Sequence, residues 1–429
     1  MIYDIIIVGS GISALYLSYK LKYKNLNILI LEKNDYIGGR IKTFHKSINN
    51  HEYKWEEGAG RFNDNHKLFI QLLNELDLKK YITKISSQVI FKPSDESYES
   101  ESKSKSSFIN ESPNKYLEKI IKYSKTFSKK ELQTQTFQDF AKNILTKNEF
   151  QFLLDSTGNY YTIFINMNCY DALKIFHFVV NEKIQYYGLK CGYDTIIHNL
   201  LNEINNINNI KLNHNVTNIE YINYSASLHN YNISNNIFNV YCNKEKYQSR
   251  MVVLTIPKPE LLKFKILNPI KPLLNSINNK SLCRIYSVFK EKDIWFKDVD
   301  YGKITTNNSS RTYIPIDKEN GLIMISYSDG KYADAWNKIN DKPIITNKLC
   351  TNVNNTFDIK INKPIYTKKS YWKVATSYWL KNMDSNKISK KIIKPYNDIP
   401  LYICGEGYST IQGWIEGALS TVENLLKKL

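Results

Sequence analysis

The first forty residues of the chain contain the feature that most restricts its fold. Residues 2–8 are largely aliphatic, as in a strand buried on both faces, and Gly9-x-Gly11-x-x-Ala14 follows them directly. The apolar spacing after this turn predicts an amphipathic helix, and residues 28–31 predict a second strand ending at Glu32. This strand–turn–helix–strand order predicts an α/β domain of the Rossmann-like, parallel-sheet type.

The glycine spacing indicates what this turn binds. Gly9 permits a tight turn, Gly11 lets the backbone approach a pyrophosphate, and Ala14 keeps the helix close to the strand. The N-terminus of the helix offers N–H groups and a positive dipole end to the phosphates. Glu32 follows Gly9 by 23 residues, where an acid can accept hydrogen bonds from ribose hydroxyls. Together these features predict a dinucleotide-binding domain.

Composition excludes several other classes of protein. A length of 429 residues predicts two or three structural units, and 42% hydrophobic residues exclude a disordered or fibrous chain. The net charge is +18, but the lysines are scattered, so we expect no specific nucleic acid partner. The six cysteines form no C-x-x-C pair, which argues against a metal site and a disulfide framework. No signal peptide or membrane-spanning run is recognisable, so we expect a soluble, intracellular (cytoplasmic) protein without membrane attachment.

Two further motifs identify the dinucleotide. Gly38-Gly39-Arg40-x-x-Thr43 follows the second strand, and Gly405-Glu406 precedes Gly413-Trp414-Ile415 near the C-terminus. The first resembles the G-G-R-x-x-T extension of the FAD-dependent amine oxidase superfamily, and the second is similar to its closing motif. The resemblance implies FAD, with Gly405 and Glu406 at the ribityl chain and the start of the last helix at the flavin ring. The segment around Val216 resembles the strand whose backbone holds adenine.

The substrate class depends mainly on one arginine. Glu57-Gly58-Ala59-Gly60-Arg61 is similar to the G-x-x-R motif of L-amino acid oxidases, in which the arginine binds the substrate carboxylate. A planar guanidinium suits that role because it forms two parallel hydrogen bonds with a carboxylate. The alternative is that Arg61 binds FAD or caps a structural carbonyl. Trp414 would form one wall of a flat pocket, or alternatively pack the last helix in the core. The aromatic stretch with Trp372 and Tyr378 resembles the segment before the closing motif of the same enzymes, and we expect it to bind substrate.

One position departs from the family pattern. The family usually has a lysine at the head of a strand of the type K-[IV]-x-[LV]-x-[FY], where it holds a water against the flavin. Arg284 stands at that position, and Lys280 and Lys290 fit the register less well. Arginine stays protonated at any working pH, whereas a buried lysine can change its protonation state. The reaction of reduced flavin with oxygen is therefore in question.

The predicted protein is a two-part flavoenzyme. A discontinuous FAD-binding domain would comprise residues 1–88, 195–262 and 385–429, and an α+β substrate domain residues 89–194 and 263–384, with the active site between them. Residues 93–107 contain no aliphatic residue and are predicted to be a disordered insertion. The oligomeric state stays open, a homodimer included.

The predicted chemistry is oxidation of a primary amine, most specifically an L-amino acid, to the imine and then the 2-oxo acid, with release of ammonia and hydrogen peroxide. The alternatives are a polyamine or monoamine oxidase, a desaturase-like flavoprotein, and a flavin-binding protein with reduced turnover. The predicted catalytic residues are Arg284 and Trp414, and the substrate-binding residues are Arg61, Trp372, Tyr378 and Trp414. Non-covalent FAD would contact Gly9, Gly11, Ile12, Ser13, Glu32, Gly39, Arg40, Gly58, Ala59, Gly60, Arg61, Val216, Gly405, Glu406, Gly413, Trp414 and Ile415.

Overall fold

The structure is a computed structural model that describes residues 1–86, 88–94, 112–181, 183–204, 209–222, 236–243, 245–299 and 302–429. Most of the predicted insertion at 93–107 lies outside these residues. In the part of the chain described, no helix is both long and apolar enough to cross a bilayer.

The described residues form both strands and helices, with a run of helices over residues 114–180 and runs of strands over 210–254 and 303–329. The strands are β1 (Ile2–Val8), β2 (Ile28–Leu31), β3 (Thr43–Ile48), β4 (His51–Glu56), β5 (Phe62–Asn63), β6 (Ile82–Ile85), β7 (Val89–Phe91), β8 (Tyr186–Leu189), β9 (Ile210–Lys211), β10 (Val216–Ile222), β11 (Ile237–Cys242), β12 (Glu245–Leu254), β13 (Ile277–Val288), β14 (Lys303–Thr305), β15 (Thr312–Asp317), β16 (Leu322–Asp329), β17 (Tyr366–Trp379) and β18 (Leu401–Ile403). The α-helices are α1 (Ile12–Leu21), α2 (Lys67–Glu75), α3 (Asn114–Ser124), α4 (Lys129–Gln133), α5 (Phe137–Lys142), α6 (Lys147–Ser156), α7 (Tyr161–Asn166), α8 (Cys169–Val180), α9 (Asp194–Glu203), α10 (Lys258–Leu261), α11 (Lys271–Leu274), α12 (Gly330–Asn337), α13 (Lys342–Phe357), α14 (Ser385–Ile393) and α15 (Ile415–Leu426).

The chain forms two compact units, and the first comprises residues 1–83, 188–278 and 384–429. Its main sheet has the strand order β10-β11-β12-β1-β2-β9, and β18 also pairs with β12. Strands β12, β1 and β2 are parallel, because each connection between them crosses over outside the sheet. Residues 5–8 of β1 are buried, as expected for a central strand covered on both faces.

Two local features of this unit follow from asparagines. Strands β3 and β4 form a hairpin whose two turn residues, Asn49 and Asn50, have φ of 51° and 62°. Positive φ at both positions is typical of the type I′ turn that suits strand twist. Asn213, with φ of 58°, ends one strand before another begins. β9 and β10 are therefore two separate strands, on either side of this residue.

The second unit comprises residues 84–187 and 279–383. Its sheet has the order β17-β13-β16-β15-β14-β7. Helices α4, α5 and α6 each begin at a capping box, formed by Ser128 with Glu131, Thr136 with Asp139, and Thr146 with Glu149. Cys283, Ile285 and Ile323 of the sheet and Trp336 and Leu349 of α12 and α13 belong to one buried apolar cluster, which covers one face of the sheet.

The boundaries of the two units fall at different residues from those of the predicted domains. Residues 263–278 belong to the first unit, where the prediction places them in the substrate domain. Side chains near the C-terminus hold this segment: the Tyr408 hydroxyl donates to the Leu274 carbonyl at 2.9 Å, and the Tyr396 hydroxyl donates to the Ile266 carbonyl. No periodicity in the sequence indicates these long-range contacts.

Candidate active site

The turn after β1 leaves open space beside Gly11. Gly9 has φ of +97°, and a Cβ there would lie 3.0 Å from Thr255 Oγ1 and from Ile256 Cγ2. Gly11 caps α1 without a side-chain hydrogen bond, and a Cβ on it would meet no described atom within 4 Å. The first N–H groups of α1 therefore border a space that no side chain of the described residues fills.

Glu32 supports this turn directly. Its Oε2 accepts from both the backbone N–H and the hydroxyl of Ser10, each at 2.9 Å. Its Oε1 accepts from the backbone N–H and the side chain of Asn34, at 2.8 and 2.7 Å. A carboxylate has about four acceptor sites, so the protein's own donors occupy them. A ribose hydroxyl would replace the Ser10 hydroxyl or the Asn34 amide.

The second motif lies against the first. The Gly38 N–H donates to the Ser10 carbonyl at 3.0 Å, and a Cβ on Gly39 would lie 3.3 Å from Gly11 Cα. The Arg40 carbonyl accepts from the Ala59 N–H at 3.0 Å, and a Cβ on Gly58 would lie 1.9 Å from that carbonyl oxygen. Only glycine fits at position 58, because the Arg40 carbonyl occupies the space that a side chain would need. This close backbone contact joins the Gly58–Arg61 motif to the Gly38–Arg40 motif.

The closing motif completes this connected set. The Arg40 guanidinium is 2.6 Å from Glu406 Oε1, and Glu406 Oε2 accepts from the Gly413 N–H at 2.8 Å. Gly405 has φ of +143°, and a Cβ there would meet no described atom within 4 Å. Trp414 is the N-cap of α15, and Ile415 is its first residue. One carboxylate therefore links the second motif to the start of the last helix.

These residues fit the FAD expected from the sequence. The uncapped start of α1, with Ile12 and Ser13 as its first residues, supplies backbone donors, and the bare Cα of Gly11 leaves room for a pyrophosphate. Val216 begins β10, two residues after His214, whose N–H donates to the Glu32 carbonyl at 2.7 Å. The adenine-side and phosphate-side residues predicted from the sequence thus lie in one unit.

Arg61 and Trp414 are brought together in this unit. The Arg61 guanidinium carbon lies 5.6 Å from the Trp414 ring centroid, which is within cation–π range. His66 contacts the same indole edge-on, with ring centroids 4.7 Å apart. Burial and the nearby Arg61 charge lower the pKa of His66 to about 4, so this imidazole is neutral at physiological pH. A permanent cation, an indole and a neutral imidazole form one cluster.

Helix α2 starts at this cluster and is held by the last helix. His66 is its N-cap but makes no side-chain capping bond. Glu416 of α15 replaces the missing cap: its two oxygens accept from the N–H groups of Leu68 and Phe69, at 3.1 and 2.9 Å. Burial raises the pKa of the Glu416 carboxyl, and these two hydrogen bonds oppose that shift. The carboxylate fixes the start of α2 relative to Trp414.

The remaining predicted residues lie in the second unit and share one sheet face. Arg284 is on β13, and Trp372 and Tyr378 are on β17, the neighbouring strand. Cys283, Ile285 and Tyr371 contact the apolar cluster on one face of this sheet. Because side chains alternate along a strand, Arg284, Trp372 and Tyr378 lie on the opposite face.

Arg284 is held by a neighbouring tyrosine. Its guanidinium carbon lies 4.7 Å from the Tyr327 ring centroid, and Nη2 donates to the Tyr327 hydroxyl at 3.3 Å. The two residues pair directly across β13 and β16. Lys280 instead forms a buried ion pair with Asp329 at 3.3 Å, and Lys290 is exposed beyond the end of β13. Arg284 therefore stays the candidate at the family's lysine position.

Sequence reasoning missed three residues of the candidate site. Ser10 and Glu416 lie inside recognised motifs, but only their contacts reveal what they hold. His66 had no signal beyond its place before an apolar helix. Its neighbours in space, Arg61 and Trp414, are separated from each other by most of the chain, so no local pattern joins them.

Comparison with known proteins identifies the family. The sequence matches the flavin containing amine oxidoreductases over residues 10–422. A protein of Acanthamoeba polyphaga mimivirus is 23% identical over 99% of this chain and 93% of its own length. A probable flavin-containing monoamine oxidase A of Dictyostelium discoideum is 32% identical over 80 residues, 19% of this chain and 17% of that protein.

Solved structures agree on the fold. A putrescine oxidase double mutant covers 100% of this chain and 99% of its own, with a TM-score of 0.76 and 14% identity. Wild-type putrescine oxidase bound to putrescine gives a TM-score of 0.74 at 14% identity, again over 100% and 99% of the chains. At this identity the likeness shows the fold alone, and it confirms the predicted α/β class. The chain belongs to the flavin containing amine oxidoreductase family, whose cofactor is FAD.

Proposed function

We propose that the protein oxidises the Cα–N bond of an L-amino acid, giving the imine, which hydrolyses to a 2-oxo acid and ammonia. The observation that carries the amino acid assignment is the position of Arg61, 5.6 Å from the Trp414 ring at the start of the last helix. When bound, FAD supplies the hydride acceptor, and oxygen restores it with formation of hydrogen peroxide.

The chain's own residues would select and orient the substrate. Arg61 would bind the carboxylate through two parallel hydrogen bonds, and the Trp414 indole would form an apolar wall beside it. The permanent charge of Arg61 favours a substrate that carries an anion, which a simple amine lacks. We further propose that Arg284, Trp372 and Tyr378 serve the same reaction from the second unit, where they share one sheet face.

A matched pair of substrates tests this assignment. L-phenylalanine and phenethylamine differ only in the carboxylate, and reduction of the flavin under nitrogen reports the reaction of each. In Arg61→Ala, the half-saturating concentration of phenylalanine should rise, because a partly desolvated bidentate pair contributes roughly 2–5 kcal/mol, or about 30- to 4,000-fold. Phenethylamine should respond little, and the FAD content should not change.

Three outcomes contradict the proposal in different ways. Loss of FAD from Arg61→Ala would make the arginine a cofactor ligand. Faster reduction by phenethylamine or putrescine than by any amino acid would favour a monoamine or polyamine oxidase. Retained yellow colour without bleaching by any amine or amino acid would favour a flavin-binding protein with reduced turnover.

A further inference from the structure

His66 is a buried imidazole that neither the family motifs nor the predicted mechanism uses. Its exposed fraction is 5%, and it lies against Trp414, with ring centroids 4.7 Å apart. The Arg61 guanidinium carbon lies 5.6 Å from the centroid of the same Trp414 ring. The indole therefore has two nitrogen-rich side chains around it, one with a permanent positive charge and one neutral.

The hydrogen bonding of His66 fixes which nitrogen carries its proton. The backbone N–H of Asn63 donates to Nδ1 at 3.4 Å, so Nδ1 is an acceptor. In a neutral imidazole the other nitrogen then holds the hydrogen, and Nε2 is a donor. Among the residues that the structure describes, Nε2 has no hydrogen-bond partner. His66 thus holds an unused N–H donor within the Arg61–Trp414 cluster.

Two features keep the imidazole in this state. Burial and the charge of Arg61 disfavour the imidazolium and lower the pKa of His66 to about 4, while Asp64 opposes this shift weakly. The backbone that carries His66 is fixed because Glu416 caps α2 through Leu68 and Phe69. A donor held in one place at low conformational freedom is what selective binding requires.

We propose that His66 is a second carboxylate-binding residue, whose Nε2–H donates to the substrate carboxylate that Arg61 binds. A carboxylate has about four acceptor sites, and a bidentate guanidinium occupies two of them, so a further donor can bind the same group. This role rests on the proposed function, since it needs a substrate with a carboxylate. It assigns the recognition of an amino acid to a pair of side chains rather than to Arg61 alone.

The test separates the donor of His66 from its ring. His66→Phe keeps an aromatic ring against Trp414 but removes the donor, whereas His66→Gln replaces Nε2–H by an amide N–H at a similar distance from Cα. The probe is benzoate, a carboxylate that cannot be oxidised at a Cα–N bond. Its binding to the FAD-loaded enzyme is followed by the change in the flavin absorption spectrum, without turnover.

The expected result is a split between the two variants. His66→Phe should weaken benzoate binding about tenfold or more, because a hydrogen bond to a charged group is lost, and His66→Gln should stay within about threefold of wild type. Phenethylamine, which has no carboxylate, should discriminate between His66→Phe and His66→Gln much less than benzoate does. If His66→Phe does not fold, His66→Asn replaces it, since Asn carries its amide near the Nδ1 position and should bind benzoate weakly while Gln binds it well.

Contrary outcomes are distinguishable from failure of the proposed function. Wild-type benzoate affinity in His66→Phe, or equal losses in Asn and Gln variants, would show that His66 only packs against Trp414 and would overturn this role. If Arg61→Ala also left benzoate binding unchanged, the amino acid assignment itself would fail. Loss in Arg61→Ala without loss in His66→Phe would contradict only the second donor.

Discussion

Replacing Gly11 by alanine separates cofactor binding from folding. Gly11 has φ of −72° and ψ of 178°, which alanine adopts without strain, and its Cβ would meet no described atom within 4 Å. A compatible Gly→Ala change adds about 0.4–1 kcal/mol to stability through the unfolded chain, and a poorer N-cap opposes this gain. The apoprotein's free energy of unfolding should therefore change by less than about 1 kcal/mol.

FAD affinity should fall in the same variant. The added methyl group enters the space bordered by the N-terminus of α1, where the pyrophosphate would lie, and overpacking of one methyl costs about 1–3 kcal/mol, or roughly 5- to 150-fold in affinity. Calorimetric titration of apoprotein with FAD measures this affinity, and urea unfolding followed by circular dichroism measures stability.

Gly9→Ala is the matched control, because its backbone and surroundings do not tolerate a side chain. With φ of +97° and a Cβ 3.0 Å from Thr255 Oγ1, it should destabilise the apoprotein by about 1–3 kcal/mol or more. FAD affinity equal to wild type in Gly11→Ala would refute the placement of the pyrophosphate at this turn. A large loss of apoprotein stability in the same variant would refute the reasoning about open space.

Four further outcomes are expected. Glu416→Ala should lower the free energy of unfolding by about 2–5 kcal/mol, since two N–H groups of α2 lose their acceptor, and Glu416→Gln should cost about half as much in the same urea titration. Glu32→Ala should weaken FAD binding by about 1.5–3 kcal/mol in calorimetry, whereas unchanged affinity would show that Glu32 only supports the turn. Arg284→Lys should speed reoxidation of the reduced flavin in stopped-flow mixing with oxygen more than it changes reduction, if the native arginine slows the oxygen step. Deleting residues 95–107, which contain no aliphatic residue, should leave the melting temperature and FAD content nearly unchanged. This deletion retains Ser94, whose backbone N–H and hydroxyl donate to Asn307 Oδ1.

The sequence predicts the strands of the first unit well where burial is two-sided. Strands Ile2–Val8 and Ile28–Leu31 are observed at the predicted residues, because an aliphatic run between turn residues has few alternatives. Strand β13 starts at Ile277, seven residues before the predicted strand at Arg284. Its first half is polar and includes Lys280, which is buried because Asp329 of β16 pairs with it and the Asn159 carbonyl accepts from it. Such a strand is stabilised by a distant partner, which periodicity does not reveal.

The candidate site shows the same limit at the level of single residues. Motifs predict that Arg61 and Trp414 belong to the site, because each lies next to a glycine-rich segment. They do not predict that the two side chains meet, since the contact joins segments from opposite ends of the chain. His66 has no motif at all, and its neutral state depends on burial and on Arg61, both of which arise only after folding.

Three buried acids lie in or beside the motifs of the candidate site, but the motifs alone do not show what each carboxylate binds. Glu32, Glu406 and Glu416 are 5%, 7% and 5% exposed. Each accepts from backbone N–H groups: Glu32 from Ser10 and Asn34, Glu406 from Gly413, and Glu416 from Leu68 and Phe69. A buried carboxylate needs such donors, and the segments that donate are thereby held in place. The acids of the motifs thus fix the loops of the candidate site, while the uncapped N–H groups beside Gly11 and the cation of Arg61 are the groups that we propose bind anionic ligands.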